Sequence, residues 1–153
     1  MTVSARTALA GLMGTLIWAT AVSAARPLDI ETTFHNSVDI AGFRTCHWGE
    51  GEPSENRQLE EAVRVQVREI LSNKGYRIVS APGDCVVRTL SRTDDYFPSG
   101  VFLVEVFDRE SAQLAWRARI SGLLNPADRG RTLRVFHRSI KKAFKTFPKA
   151  RNR

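Results

Sequence analysis

Residues 100–124, GVFLVEVFDRESAQLAWRARISGLL, alternate in a way that few folds can accommodate. If Asp108 faces Leu114 across a five-residue polar turn, Val106/Trp116, Val104/Ala118 and Phe102/Ile120 fall on one face, and Glu105 meets Arg117 on the other. That is the pattern of a half-buried antiparallel hairpin. A slip of one residue would bury the Glu105 carboxylate beside the Trp116 indole, so the burial cost fixes the register. A hairpin with one apolar face needs a second layer to cover it. The chain is 153 residues long, 42% hydrophobic and 25% charged, enough for one such core and one domain.

The first residues have a different purpose. Arg6 supplies a positive start, residues 8–22 are uncharged and largely apolar, and small residues around Ser23-Ala24-Ala25 fit a signal-peptidase site. Residues 1–24 therefore read as a cleavable secretory signal and residues 25–153 as the exported domain. The competing reading is an uncleaved anchor, but Gly11, Gly14, Thr15, Thr20 and Ser23 make a poor membrane span. No cysteine stands near the cut for lipid attachment. The expectation is a periplasmic or extracellular protein without a lipid anchor.

An oxidising compartment leaves two readings for Cys46 and Cys85, each in an expected strand: a disulfide if those strands are neighbours, or two small buried thiols. Neither cysteine has zinc-site spacing, so no metal-built fold is expected.

Around the hairpin, the rest of the chain reads as strands and two helices. Residues 28–34 alternate with Leu28, Ile30, Thr32 and Phe34 on one side. Residues 43–48 form a second strand, in which Cys46 and His47 point to opposite faces and cannot act as nucleophile and base. Ser54 or Asn56 caps a helix to about Lys74, with a stripe of Leu59, Val63, Val67, Ile70 and Leu71, and with Glu60 placed to pair with Arg64. Gly75 stops it. Strands 76–79 and 85–90 flank a turn at residues 81–84, and residues 91–100 read as a loop. Asn125-Pro126 opens a last helix over residues 131–147, with Leu133, Phe136, Ile140, Phe144 and Phe147 inward.

The outward face of that helix holds most of the charge. Residues 125–153 carry ten Lys or Arg and one acid, Asp128, a net +9 against +7 for the whole chain. Arg134, Arg138, Lys141, Lys142 and Lys145 are the candidate contacts to an anionic membrane surface or an acidic envelope partner, the alternative being a solvated face. Export argues against nucleic acid.

Catalytic patterns are nearly absent. There is no GxSxG, HExxH, P-loop, GxGxxG or EF-hand spacing, and no cofactor motif. Ser139 and Lys142 fit the bare S-x-x-K pattern without its companion motifs. His35, His47 and His137 are scattered, and Asp94-Asp95 lies in a turn-rich stretch. The alternative to a binding protein is a small hydrolase or metal-dependent enzyme, and a pocket uniting two or more of His47, Asp94, Asp95 and Glu105 would favour it.

Several pieces, taken in order, resemble a bacterial envelope family of secreted proteins and lipoproteins known as domain of unknown function 4136. They are Phe43-Arg44-Thr45 with Trp48; the helix closing on Lys74-Gly75-Tyr76; Asp84 before a strand; Asp108, Ser111 and Leu114-Ala115-Trp116-Arg117; Ser121-Gly122; and Phe147-Pro148. The resemblance implies location and architecture, and it brings no catalytic residue or cofactor. The chain departs from the family pattern in having Ala112 where the turn commonly carries glycine, in lacking the lipid-attachment cysteine, and in having Cys46 and Cys85. The expected fold is α+β: a two-layer sandwich, mostly antiparallel sheet, with two helices on one face. Its core should comprise Val106, Trp116, Ile120, Leu59, Val63, Ile70, Phe136, Ile140 and Phe144.

Overall fold

The hairpin forms in the register that its alternation requires: Phe102 pairs with Ile120, Val104 with Ala118, Glu105 with Arg117 and Val106 with Trp116. Nearer the turn the register shifts, and Leu114 sits opposite Phe107 rather than Asp108. The extra residue on the second strand is a bulge that lets Ala115 and Trp116 both be buried. Asp108 organises the turn, its carboxylate accepting from the Ser111 hydroxyl and from the backbone N–H groups of Glu110 and Ser111.

The protein is described by a computed structural model covering residues 28–51, 57–93, 99–123 and 129–151. The expected signal, the caps at Ser54, Asn56 and Asn125-Pro126, and Asp94-Asp95 lie outside these residues. The elements are β1 (Asp29–Phe34), a 3-10 turn (Ile40–Gly42), β2 (Thr45–Trp48), α1 (Arg57–Asn73), β3 (Arg77–Ile78), β4 (Cys85–Thr93), β5 (Ser99–Asp108), β6 (Leu114–Leu123) and α2 (Arg129–Ala143). The strands make one sheet in the order β1-β6-β5-β4-β2-β3. Its first four strands are antiparallel neighbours, whereas β2 runs parallel to both β4 and β3. The parallel pair follows from the connection: α1 carries the chain back from the end of β2 to the start of β3.

Both helices lie on the side of the sheet bearing Val87, Val104, Trp116 and Ile120, and the buried apolar side chains form one cluster between the layers. The α+β two-layer sandwich is thus the observed fold. Trp116 is its centre, with ring centroids of Phe144 at 4.6 Å, Phe147 at 5.0 Å and Phe34 at 6.5 Å. Two boundaries move from expectation. β4 and β5 extend into residues 91–93 and 99–100, because continued pairing of Ser91, Arg92 and Thr93 satisfies backbone groups that a loop would leave to water. The last helix ends at Ala143, and Phe144 and Phe147 reach the core from the turns that follow.

Leu133 is a correction of another kind. Expected in the inward stripe, it is 41% exposed, and Ser139 and Ala143 are buried instead. The packed arc of α2 is rotated toward Phe136, Ser139, Ile140 and Ala143, since the helix must follow α1 as well as the sheet. Ile70, also expected in the core, packs at its margin.

The ends of α1 and of the chain are stitched together. Gly75 adopts φ 94°, with Tyr76 N–H bonding to the Leu71 carbonyl and Gly75 N–H to that of Ser72, a Schellman stop. The Tyr76 hydroxyl shares its one proton between the Ile40 and Pro148 carbonyls, at 3.2 and 3.3 Å. Burial, with the Asp39 carboxylate nearby, pushes its pKa up to about 12. Lys74 Nζ donates to the Phe147 carbonyl at 2.6 Å, and burial and then the neighbouring Lys149 charge lower its pKa.

Two predictions arise from the turns. Ala112 has φ 56°, the left-handed region in which a Cβ is crowded. Ala112→Gly should raise stability by about 1 kcal/mol, read as an increased urea midpoint at unchanged m-value. Asp84 precedes β4, and one of its oxygens accepts the Arg44 and Thr45 backbone N–H groups at 2.9 and 3.0 Å. Those bonds, Arg44 first, hold its pKa below the ordinary 3.8. A lowered native pKa contributes stability above the unfolded value that disappears as pH falls through the native one. Between about pH 5 and pH 2 the native protein should therefore lose more stability than Asp84→Asn, measured by urea unfolding across that range.

Candidate anionic-surface site on the last helix

At 100° per residue, Arg134, Arg138, Lys141 and Lys142 occupy an arc of about 100° on α2, opposite Phe136 and Ala143. Lys145 follows in the turn after the helix rather than within it, where its N–H still bonds the Lys142 carbonyl at 3.2 Å. All five are exposed, and none forms an ion pair among the described residues. From Arg134 to Lys142 the row extends about 12 Å along the helix at 1.5 Å per residue. The packed face of α2 is held by its aromatic contacts and by Gln66, whose Nε2 donates to the His137 carbonyl at 2.6 Å. The cations therefore stand on a helix fixed from behind. Lys141 and Lys142 also sit in the last turn, where a positive charge complements the helix dipole.

The sheet face turned away from both helices is a second polar surface. Glu105 is 7% exposed although no helix among the described residues lies over it, and Arg117 clamps it through Nε at 2.7 Å and Nη2 at 2.5 Å. Arg88 flanks Glu105 on β4 and lays its guanidinium over the Phe107 ring, 5.0 Å from the centroid. His47 is engaged elsewhere, its Nδ1 accepting the Gly83 N–H at 3.0 Å. His47 and Glu105 thus have separate partners on strands that are not adjacent. Ser139 is buried and Lys142 exposed, so the S-x-x-K pair does not form a nucleophile and base. Among the described residues no group of three His, Cys, Asp or Glu is placed to hold a metal.

Cys46 and Cys85 are Cα partners on β2 and β4, 4.5 Å apart, and are joined as a disulfide. Of the two readings their spacing left open, the structure contains the bridge. The Gln66 link between the helices could not be read from the sequence: a glutamine inside an apolar stripe signals a buried partner without naming it.

Among the described residues no helix is long and apolar enough to cross a membrane. Neither a protein-family model nor a curated protein matches the chain. Solved structures do. A PelC dodecamer from Paraburkholderia phytofirmans shares 15% identity over 82% of this chain and 99% of its own, at a TM-score of 0.56. A PDZ domain protein from Parabacteroides distasonis shares 17% identity over 78% of this chain, but only 36% of its own length, at a TM-score of 0.59. At these identities the likeness is one of fold, shared with nearly the whole PelC chain and with about a third of the PDZ domain protein.

Proposed function

We propose that the protein is an exported, non-catalytic accessory protein of the cell envelope, the location the domain of unknown function 4136 resemblance implies, and that it docks on an anionic membrane surface through α2. The observation that carries this reading is the row Arg134, Arg138, Lys141, Lys142 and Lys145: four exposed cations on the back of a packed helix and a fifth in the turn after it, with no acid paired to them among the described residues. Apart from Leu133, the apolar side of α2 is committed to the core, so attachment is electrostatic and peripheral rather than insertive. Each cation near an anionic bilayer contributes about 1 kcal/mol, and added salt screens it.

Co-sedimentation with vesicles tests the reading. At low salt the protein should pellet with vesicles containing phosphatidylglycerol and remain in the supernatant with pure phosphatidylcholine. The triple variant Arg138→Gln, Lys141→Gln, Lys142→Gln should lose about 3 kcal/mol, roughly a hundredfold in affinity. Equal partitioning onto neutral and anionic vesicles would refute the proposal.

A further inference from the structure

β1 forms one border of the sheet, and among the described residues nothing pairs with its outer side. The His35 N–H bonds the Ala115 carbonyl at 2.9 Å, which sets the phase of the ladder. Residues 29, 31 and 33 accordingly turn their backbone groups toward β6, and the N–H and C=O of Ile30, Thr32 and Phe34 point outward. A row of this kind is a template for another strand. Glu31, the charge best placed to blunt it, leans inward to Arg119 at 3.4 Å.

We propose that this edge is the docking surface for a second copy of the same chain, β1 against β1, antiparallel about a two-fold axis at Thr32. In that register Ile30 faces the partner's Phe34 and Thr32 faces the partner's Thr32, so each outward N–H and C=O finds a mate. The side chains agree on both faces. Toward the helices, Ile30 lies against the partner's Phe34, covering a ring that is 39% exposed in the single chain. On the other face Glu31 meets the partner's Thr33, and Asp29 meets the partner's His35.

Neighbouring registers fail on the same terms. Sliding by two residues in one direction sets Glu31 against the partner's Glu31, and like charges directly opposite are destabilising. Sliding the other way leaves Ile30 opposite the partner's Asn36 in the turn, with its outward groups unpaired. An odd shift sets outward-facing groups against none. The sequence DIETTFH is self-complementary in one register, and that is why the occupant is a second copy rather than an unrelated strand. The inference does not depend on the basic helix.

The test uses the full exported chain. Sedimentation equilibrium at tens of micromolar should give twice the chain mass. Thr32→Cys, with Cys46 and Cys85 already bonded to each other, should cross-link to itself with a short bis-maleimide, while Val65→Cys on the exposed side of α1 should not. Thr32→Pro deletes the N–H at the axis, and edge strands tolerate proline, so it should yield a folded monomer by circular dichroism and mass. If Thr32→Pro unfolds, the cross-link decides. A monomeric mass at every concentration, a Thr32→Cys protein that does not link, or an assembly that survives folded Thr32→Pro would each overturn the proposal.

Discussion

Replacing Cys46 and Cys85 together by alanine should lower the unfolding free energy by about 4 kcal/mol, the chain-entropy value for a loop closed over a sequence separation of 39 residues. The bridge joins strands that are already hydrogen-bonded neighbours, so it adds little to the native contacts and acts mainly on the unfolded chain. It ties β2 to β4 across an excursion that includes α1 and β3, the part of the sheet with the shortest ladders. Both cysteines are fully buried, and the double variant removes both sulfurs without leaving a lone thiol. Urea unfolding of the oxidised protein and the double alanine variant measures the difference. A shift under about 1 kcal/mol would show that the unfolded chain is already restricted there, contrary to the entropic account.

Trp116→Ala should cost a comparable amount, about 3–5 kcal/mol. The indole has no exposed surface and sits where β6, Phe144 and Phe147 meet, with ring centroids 4.6 and 5.0 Å away. Phe144 still closes the last helical hydrogen bond, its N–H to the Ile140 carbonyl at 3.0 Å, whereas Phe147 is held by a turn bond to the Phe144 carbonyl at 3.2 Å, so Phe147 is the freer of the two to move when the indole is removed. Their collapse would refill part of the cavity and set the low end of the range. Phe34 touches the same indole at the sheet edge but is 39% exposed, and Phe34→Ala should cost much less. Thermal or urea unfolding of the two variants should separate them by at least about 2 kcal/mol. Equal losses would move the centre of the core away from Trp116.

These two sites differ in how far they could be read beforehand. Trp116 declared itself through alternation: its neighbours Val104, Ala118 and Ile120 share its face, and a slip would have buried Glu105 against it. The Cys46–Cys85 bridge could be set out only as one of two readings, because no local pattern says which strands are neighbours. The basic row was legible as charge at helical spacing, and the structure places all five side chains at the surface, four on α2 and Lys145 in the turn after it. Leu133 was misread because helical periodicity defines a stripe but not its width or its exact rotation, which α1 and β1 settle from outside the helix.

The hairpin register from Phe102/Ile120 to Val106/Trp116, the two amphipathic helices, the glycine stop at Gly75 and the concentration of cations near the end of the chain were legible in the order of residues alone. Each follows from side-chain periodicity or a single residue's backbone preference, and both act over a few residues. Contacts distant along the chain settle that β2 runs parallel between β3 and β4, that Gln66 bridges to α2, that Phe144 and Phe147 reach Trp116 from turns, and that the outer border of β1 is unpaired among the described residues. They depend on which arrangement buries the apolar faces while satisfying the backbone, and no local pattern contains that comparison.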